Sequence, residues 1–310
     1  MTENIFVSNH SLKTAVLFLV FNRPDATRLV FAEIRKARPE KLYIAADGPR
    51  KDRAGEFENC RAAREVVGQI DWECEVHTLF REENLGCRMA VSSAIDWFFQ
   101  DVEEGIILED DCLPNQSFFL FCRELLVKYR NDTRIMHIGG VNFQFGCVRG
   151  DGSYYFSGYS HIWGWATWRR AWVYYDVKMK MWPRFREQNQ IANLLKDRST
   201  QRYWLKYFQA AYEGKIDTWD YQWMLAVWSQ NGLTILPSVN LVSNIGFGKG
   251  AAHATNKNDR FANMETGNIS EIIHPSFVIT NKEADMFTFK THFQRTLFAR
   301  VKNKMKNICR

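Results

Sequence analysis

The chain of 310 residues lacks the segments that would place it in or across a membrane. Its longest apolar run, Ala15 to Phe21, is far shorter than the roughly 20 residues that a membrane-spanning helix needs. The first residues, Met1 to Lys13, are polar and do not resemble a secretory signal. We therefore expect a cytoplasmic protein.

Paired cysteines and several familiar catalytic motifs are also missing. The seven Cys residues, at positions 60, 74, 87, 112, 122, 147 and 309, contain no Cys-x-x-Cys spacing, which argues for a reducing compartment and against a disulfide framework. No Gly-x-x-x-x-Gly-Lys-[Ser/Thr] is present and no Gly-x-Gly-x-x-Gly follows a strand, which argues against P-loop kinases and dinucleotide oxidoreductases. His-Glu-x-x-His and Gly-x-Ser-x-Gly are absent as well.

Aromatic residues, in contrast, are abundant, with 11 Trp, 11 Tyr and 23 Phe. A large core accounts for such numbers, and so does a surface that stacks rings on sugars or bases. The overall composition, 46% hydrophobic and 25% charged, is that of an ordinary globular protein. We expect one compact domain with two functional halves and a tail.

The positive charge is concentrated in that tail. The net charge is +6, and residues 290–310 contain seven Lys and Arg and no acidic residue. Apolar residues recur there at helical spacing, which predicts a basic amphipathic helix suited to an anionic membrane surface. The alternatives are packing of this helix on its own domain and nucleic-acid binding; we predict peripheral contact with the inner membrane face and no nucleic acid.

Strands and helices alternate over the first third of the chain. Apolar runs predict strands at 15–21, 41–46, 75–80 and 105–108, separated by helices over 25–38, 61–67 and 86–100, with Asp25 capping the first. This alternation predicts an α/β fold with a mostly parallel central sheet flanked by helices and a C-terminal basic helix. We assign residues 1–260 to the domain, with a nucleotide-binding half over 13–112 and an acceptor half over 113–260, and residues 261–310 to an extension.

The acceptor half has a less regular pattern. It predicts helices over 118–129 and 191–212, and another within 217–229. Short strands are expected at 134–140 and 234–237. Residues 154–172 are crowded with Tyr, Trp, Gly and Ser, and 240–255 are rich in Gly and irregular.

Polar clusters follow the predicted strands at 22–23, 47–48, 84 and 109–111. Because ligands of such sheets bind beyond the carboxyl ends of the strands, we expect these clusters to form one site. The acidic triplet Glu109-Asp110-Asp111 is the strongest of them, since adjacent buried carboxylates repel one another unless a cation is present. A divalent cation held there would retain sites for diphosphate oxygens; a solvated acidic turn is the alternative.

Other residues of this edge are candidate nucleotide contacts. Asp47 has the chemistry to accept hydrogen bonds from a base or a ribose, and Arg23 to pair with phosphate. Asn84 and Gly86 precede a helix whose N-terminus suits phosphate, and Arg88 lies one turn further along. The alternatives are a turn-forming role for Asp47 and a surface charge for Arg23.

A second cluster, residues 217–223, places two carboxylates among Trp rings. A hydroxyl nucleophile needs a base, and a partly desolvated carboxylate suits that role. Asp220 is the candidate and Asp217 the runner-up, unless one of them caps the following helix. Further along, His253 is a candidate metal or diphosphate ligand and Lys249 a candidate phosphate contact; a solvated loop is the alternative.

With these motifs in place, the chain resembles GT-A-fold glycosyltransferases, in particular the inverting N-acetylglucosaminyltransferase I family and its bacterial relatives. The triplet followed by Pro114 and then by Ser117-Phe118-Phe119 carries the strongest likeness. It implies that Asp111 binds the metal, Asp110 the ribose and Glu109 the donor sugar.

Weaker matches extend the resemblance as islands over residues 15–255, except in 176–216, where acceptors are usually chosen. The segment 156–158 leading into Gly164-Trp165 resembles a loop near the donor sugar, and 237–248 resembles a segment that closes over the site. Trp219-Asp220 resembles the family's base, and 21–24 with Asp47 its uridine pocket. Site residues implied or inferred in this way are Phe21, Asn22, Arg23 and Asp47 for the nucleotide and Trp163, Gly164, Trp165, Asp217, Trp219 and Lys249 for substrate.

The resulting expectation is an inverting hexosyl- or N-acetylhexosaminyltransferase dependent on Mn²⁺ or Mg²⁺. It would transfer a sugar from a UDP-sugar donor to a hydroxyl of a glycan or lipid-linked acceptor in bacterial surface polysaccharide synthesis. The alternatives are a non-catalytic carbohydrate-binding protein that uses residues 163–172, a membrane-associated protein that depends on its basic tail, and a sugar nucleotidyltransferase. The last would normally have a Gly-rich phosphate loop after the first strand, which residues 21–24 lack.

Overall fold

The centre of the protein is one eight-stranded sheet, in a computed structural model that describes residues 11–248 and 259–294. The strands, in chain order, are β1 (Ala15–Val20), β2 (Lys41–Ala46), β3 (Glu75–Phe80), β4 (Glu104–Glu109), β5 (Cys112–Pro114), β6 (Ile135–Gly139), β7 (Tyr154–Ser157), β8 (Trp165–Trp168), β9 (Leu233–Pro237) and β10 (Val242–Asn244). The central sheet has the order β3-β2-β1-β4-β8-β6-β9-β7, and β5 and β10 form a separate antiparallel pair.

Helices flank the sheet. They are α1 (Pro24–Ala37), α2 (Glu56–Val67), α3 (Gly86–Asp101), α4 (Gln116–Lys128), α5 (Arg169–Trp172), α6 (Trp182–Glu187), α7 (Ile191–Leu194), α8 (Arg198–Tyr212), α9 (Asp220–Ser229) and α10 (Lys282–Thr288), followed by a π-helical turn, Phe289–Phe293. The predicted α/β fold class, with a mostly parallel central sheet between helices, is confirmed.

The strands of the first half are all parallel, as the alternating pattern predicts. β1 lies between β2 and β4, and β2 pairs with β3. Every residue of β1 is buried because the sheet is covered on both faces. Val16, Phe18 and Val20 face one apolar cluster, whereas Leu17 and Leu19 face another.

Three local predictions are wrong. Asp25 does not cap α1: the helix begins at Pro24, Arg23 is the N-cap residue without a side-chain cap, and Asp25 lies in the first turn. The expected helix over 191–212 is two helices, because the carboxylate of Asp197 accepts from Thr200 N and begins α8 anew. Neither Asp217 nor Asp220 caps α9, which has Trp219 at its N-cap without a side-chain bond.

The second half of the sheet contains two strands that the sequence did not predict, β7 and β8. Both are four residues long and fully buried, so they lack the alternation of apolar and polar residues that marks a half-exposed strand. β8 runs antiparallel to both β4 and β6. Its first residue, Trp165, consequently lies at the edge of the sheet where β4 ends.

A third cluster, rich in aromatic residues, joins α8 and α9 to the C-terminal segment. Trp204 of α8 packs against Trp228 of α9, and Phe293 of the π-helical turn packs 5.0 Å from Trp204. Thr280 bridges to Phe156 of β7, so residues 280–293 pack against the domain. The predicted basic helix falls largely on residues 295–310, which lie outside the described residues. In the described part of the chain, no helix combines the length and apolar character required to cross a bilayer.

Candidate active site

The carboxyl ends of β1, β2 and β4 lie side by side and carry the predicted polar clusters. The amide of Phe21, directly after β1, donates 3.2 Å to Asp110 Oδ2, directly after β4. Asp47 follows β2 and is buried. The parallel register of the three strands places these groups at one edge, as their positions in the sequence require.

Arg23 lies between two carboxylates of the acidic triplet. Its Nη1 donates 2.6 Å to Asp111 Oδ2, and its Nη2 donates to Asp110 Oδ1. Asp110 is buried, and burial raises its pKa while the Arg23 charge opposes that rise. Arg23 was predicted to contact phosphate; in this structure its guanidinium supplies the positive charge that two adjacent carboxylates need.

The segment after β10 packs directly over this ion pair. A Cβ on Gly246 would overlap with Asp111 Oδ2 and would lie 2.8 Å from Arg23 Nη1. The amide of Gly246 is held by Asn244 Oδ1 at 2.9 Å, and Ile245 N donates 2.9 Å to the carbonyl of Asp111. The close approach explains why glycine occupies this position.

Carboxylates from the two halves of the chain converge around the thiol of Cys87. Burial raises the pKa of this thiol, and the negative charges of Glu109, Asp220, Asp217 and Asp111 raise it further. Burial also raises the pKa of Glu109, with Asp111 the next cause and Asp220 a smaller one. The acidic triplet and the candidate base therefore lie within electrostatic reach of each other.

Asp217, predicted to bind substrate, instead occupies the N-terminus of α3. Its Oδ2 accepts from Cys87 N at 2.9 Å and its Oδ1 from Arg88 N at 3.2 Å. Gly86 has a φ of +78°, and a Cβ there would lie 2.7 Å from Asp217 Oδ2. In this structure the amides of Cys87 and Arg88 donate to a carboxylate, and the predicted nucleotide contacts of Gly86 and Arg88 stay predictions.

Asp47 and Asn84 hold two connecting loops together. Asp47 Oδ2 accepts from Asn84 Nδ2 at 2.9 Å, and both of its oxygens accept from Leu85 N. Burial raises the pKa of Asp47, and these backbone donors oppose the rise. Both side chains thus have structural partners as well as a place at the site.

Phe21 and Asn22 line the same end of β1. The guanidinium of Arg50 lies 5.5 Å from the centre of the Phe21 ring. Asn22 Nδ2 donates 2.7 Å to Glu56 Oε1, and Glu56 also pairs with Arg50. These contacts fix the wall of the expected nucleotide pocket.

Two of the predicted sugar-binding Trp residues belong to the core. Trp165 and Trp219 are 0% and 1% exposed, and their rings stack 5.4 Å apart. Neither ring has an exposed face in this structure, and the predicted substrate role of the two residues stays a prediction. Trp163 is partly exposed and contacts Phe247 at 5.8 Å. Gly164 has a φ of +64° and packs against Val242.

Asp220 begins α9 and accepts a hydrogen bond from Thr218 Oγ1. It also lines a cavity of about 130 Å³. Ser160, His161, Tyr221, Met224 and His292, which share this cavity, were not singled out in the sequence. The sequence feature that could have pointed to this cavity is the polar pair Ser160-His161 within the aromatic segment before β8.

The carboxylates present fit a cation that is shared with a diphosphate. Mg²⁺ and related ions typically take one or two carboxylates together with substrate phosphates, and the carboxylate of Asp111 follows β4 and is partly exposed. Within residues 11–248 and 259–294, no group of three or more His, Cys, Asp or Glu residues could hold a metal by itself. The predicted contacts His253 and Lys249 lie outside the described residues.

Comparisons with known proteins give low similarity. No family model and no curated protein matches the chain. A UDP-glucose pyrophosphorylase solved with UDP-glucose has a TM-score of 0.37 at 9% identity, over 73% of this chain and 90% of that one. TarS of S. aureus has a TM-score of 0.35 at 12% identity, over 53% of this chain and 30% of that one.

A third solved structure, HddC from Yersinia pseudotuberculosis, has a TM-score of 0.31 at 8% identity, over 51% of this chain and 78% of that one. Similarities of this size assign no activity to the chain. The narrower resemblance to the N-acetylglucosaminyltransferase I family gains no support from them and stays a prediction. Any functional conclusion has to rest on the geometry of the sheet edge and its cavity.

Proposed function

We propose that this protein is an inverting, divalent-metal-dependent glycosyltransferase that moves a sugar from a UDP-sugar to a hydroxyl of a glycan or lipid-linked acceptor. One observation carries the proposal. Asp220 lines a cavity and begins α9 only three residues after Asp217, whose carboxylate is bonded to the first turn of α3 at the edge of the sheet where the acidic triplet lies. A base placed between an acceptor cavity and a diphosphate site is what a single in-line displacement requires.

The proposed roles of the acidic triplet and of the uridine wall are those that the resemblance to GT-A glycosyltransferases implies, and the role of Asp220 is also supported by its place beside the cavity. Asp220 accepts the proton of the acceptor hydroxyl as that oxygen attacks the anomeric carbon. Asp111 would hold a Mn²⁺ or Mg²⁺ ion, which would supply positive charge to offset that of the departing diphosphate. Glu109 contacts the donor sugar and Asp110 the ribose. Phe21, Asn22 and Asp47 form the wall against the uridine.

Arg23 has acidic partners at the same place. Its guanidinium neutralises Asp110 and Asp111, as the 2.6 Å bond to Asp111 Oδ2 indicates. A divalent cation held by Asp111 would supply positive charge at the same place, and the guanidinium of Arg23 has the fork of donors that suits a diphosphate. Gly246 packs over the pair and belongs to the segment that, by the resemblance, would close over the donor.

The acceptor side of the proposal is broader. The cavity beside Asp220 is the place for the acceptor hydroxyl, and residues 290–310 carry positive charge suited to an anionic membrane. A membrane-bound glycolipid acceptor, used in surface polysaccharide synthesis, combines these two features.

A thermal-shift panel tests the proposal. The full chain is heated with UDP, GDP, CDP and dTDP sugars, each with Mn²⁺ and with a chelator. A ligand that binds only the folded protein raises the melting temperature, by mass action. We expect a rise with a UDP-sugar that depends on Mn²⁺. The proposal fails if no nucleotide sugar shifts the melting temperature under either condition.

A further inference from the structure

The cavity beside Asp220 lies between the segment before β8, the helices α8 and α9 and the π-helical turn. Its volume is about 130 Å³. Sites that hold drug-sized ligands have roughly 300–1,000 Å³, so this one suits a single ring-sized group and not a whole nucleotide sugar. Phe143, Trp204 and Met224 are buried walls, whereas Trp163 and His292 are partly exposed.

Aromatic rings form most of these walls. Phe143 contacts Trp163 edge to face at 5.2 Å, and His292 stacks on Phe143 at 4.6 Å. On the other side, Trp204 and Phe293 lie 5.0 Å apart. Flat rings of this kind offer apolar surface to the C–H faces of a sugar while leaving its hydroxyls to polar groups.

His161 supplies a polar group in the buried part of the cavity. The residue is 5% exposed, and its Nε2 has no hydrogen-bond partner among the described residues. Its ring lies 4.7 Å from Phe143, 6.4 Å from His292 and 6.3 Å from Phe293, which all line the cavity. Burial lowers the pKa of His161 well below its usual value, so the ring is neutral at pH 7.

Two oxygen atoms near the His161 ring, the Ser160 hydroxyl and the His161 carbonyl, already have hydrogen-bond partners. Ser160 Oγ pairs with Thr234 Oγ1 at 3.1 Å, and the carbonyl of His161 accepts from His137 Nε2 at 3.0 Å. Native proteins rarely leave a buried polar atom without a partner. His161 Nε2 and Trp204 Nε1, both from residues that line this cavity, are buried polar atoms without a partner among the described residues. Of the two, the imidazole nitrogen is the one that can either donate to or accept from a hydroxyl.

We propose that this cavity binds one pyranose ring of the acceptor, with His161 Nε2 bonded to one hydroxyl and Asp220 beside the hydroxyl that reacts. The inference rests on the proposed transferase function and adds the acceptor's chemical class to it. In the reaction, the acceptor oxygen forms a bond to the anomeric carbon and its proton passes to Asp220. The bond from that carbon to the diphosphate breaks, and the diphosphate leaves with the electron pair.

Saturation-transfer NMR with simple methyl glycosides tests this on the full chain. The probes are methyl glycosides of glucose, galactose, mannose, rhamnose and N-acetylglucosamine, measured with and without UDP and Mn²⁺. At least one is expected to receive saturation at its ring protons and to keep it when UDP is added. If none does while UDP binds, the acceptor site is wrong and the transferase proposal is untouched.

Two substitutions and a matched control sharpen the test. His161→Phe keeps an aromatic ring and removes both nitrogens, so binding of the glycoside should weaken about tenfold, or about 1.4 kcal/mol. His161→Gln, which keeps polar atoms and guards against misfolding of the Phe variant, should lose less. His77→Phe, on the edge strand β3 and stacked on Tyr43, should bind as the parent does.

The outcomes separate the two proposals. Equal glycoside binding by the parent and both His161 variants would overturn the role of His161 and of this cavity. Glycoside binding that depends on His161, without any binding of UDP, would keep the sugar site and refute the transferase. A higher KM for acceptor in His161→Phe at unchanged KM for donor would support both.

Discussion

The carboxylate of Asp217 accepts a 2.9 Å hydrogen bond from the amide of Cys87, which lies 130 residues earlier in the chain. The bond ties the segment before α9 to the first turn of α3. A carboxylate at a helix N-terminus is favourable because the amides there lack partners and the helix dipole attracts negative charge. The same tie brings Asp220 towards the acidic triplet.

Asp217→Ala should therefore reduce both stability and transfer. Loss of such a cap typically costs about 1 kcal/mol, measurable by urea unfolding. The rate of transfer should fall more than this loss explains, because the start of α9 is no longer fixed. Asp197→Ala is the matched control: Asp197 caps α8 through Thr200 N, so it should lose similar stability without the loss of rate. Equal transfer rates in Asp217→Ala and Asp197→Ala would show that the bond between Asp217 and Cys87 does not position α9 for transfer.

Asp220→Asn should abolish most transfer while leaving nucleotide binding intact. A positioned base contributes about 10²- to 10⁴-fold to such reactions, and an amide cannot take the proton. Product formation is measured by mass spectrometry and UDP affinity by calorimetry. Asp132→Asn, in an ion pair with Arg134 outside the site, serves as control. Transfer at the parental rate by Asp220→Asn would remove Asp220 from the mechanism.

Arg23→Gln should destabilise the protein in chelator and make it more responsive to Mn²⁺. Removing one partner of a largely buried ion pair costs about 3–5 kcal/mol, because Asp110 and Asp111 are left without a counter-charge. A cation restores that charge, so Mn²⁺ should raise the melting temperature of the variant more than that of the parent. Arg35→Gln breaks an exposed pair with Asp71, for which about 0–1 kcal/mol and no Mn²⁺ effect are expected. Equal Mn²⁺ responses in the Arg23 variant and the parent would argue against a cation at Asp111.

Asp285 should make stability depend on pH. Burial raises its pKa to about 6, although Ser157 Oγ and Gly158 N donate to it. Between its unfolded pKa of about 4 and about 6 the folded protein therefore holds a proton that the unfolded chain has lost. The stability that this group contributes is present below that range and is lost as the pH rises through 6.

Urea unfolding of the parent and of Asp285→Asn from pH 4 to pH 7 measures this effect. The variant cannot titrate at this position, so its stability should fall less steeply over that interval. Asp25→Asn, on the exposed first turn of α1, should follow the parent. A variant whose slope equals that of the parent would show that Asp285 does not titrate in this range.

The parts of the fold and of the candidate site that the sequence predicts are those that local residues determine. β1, β2 and β3 could be placed to within a residue, β1 and β2 because each is an apolar run followed by turn residues. The acidic triplet was visible for the same reason, since it directly follows a buried strand. The class of the fold then followed from the alternation of elements.

The parts that could not be predicted from the sequence depend on contacts between distant segments of the chain. The partner of Asp217 is the first turn of α3, and nothing in residues 217–223 points to it. Trp165 and Trp219 have the side chains of a sugar platform, but their mutual stacking in the core decides their role. His161 became a candidate only when the fold placed it beside Phe143, His292 and Phe293.

The reversed direction of β8 between β4 and β6 has a consequence for engineering. Because β8 runs antiparallel to β4, the connection that precedes Trp165 lies at the edge of the sheet where β4 ends, beside the candidate active site. Ile162 and Trp163, which are partly exposed in this connection, could accordingly be substituted without disturbing the register of the four strands that carry the nucleotide contacts. Variants at these positions could be selected for transfer to new acceptor sugars. The product would then change while the nucleotide-sugar donor stays the same.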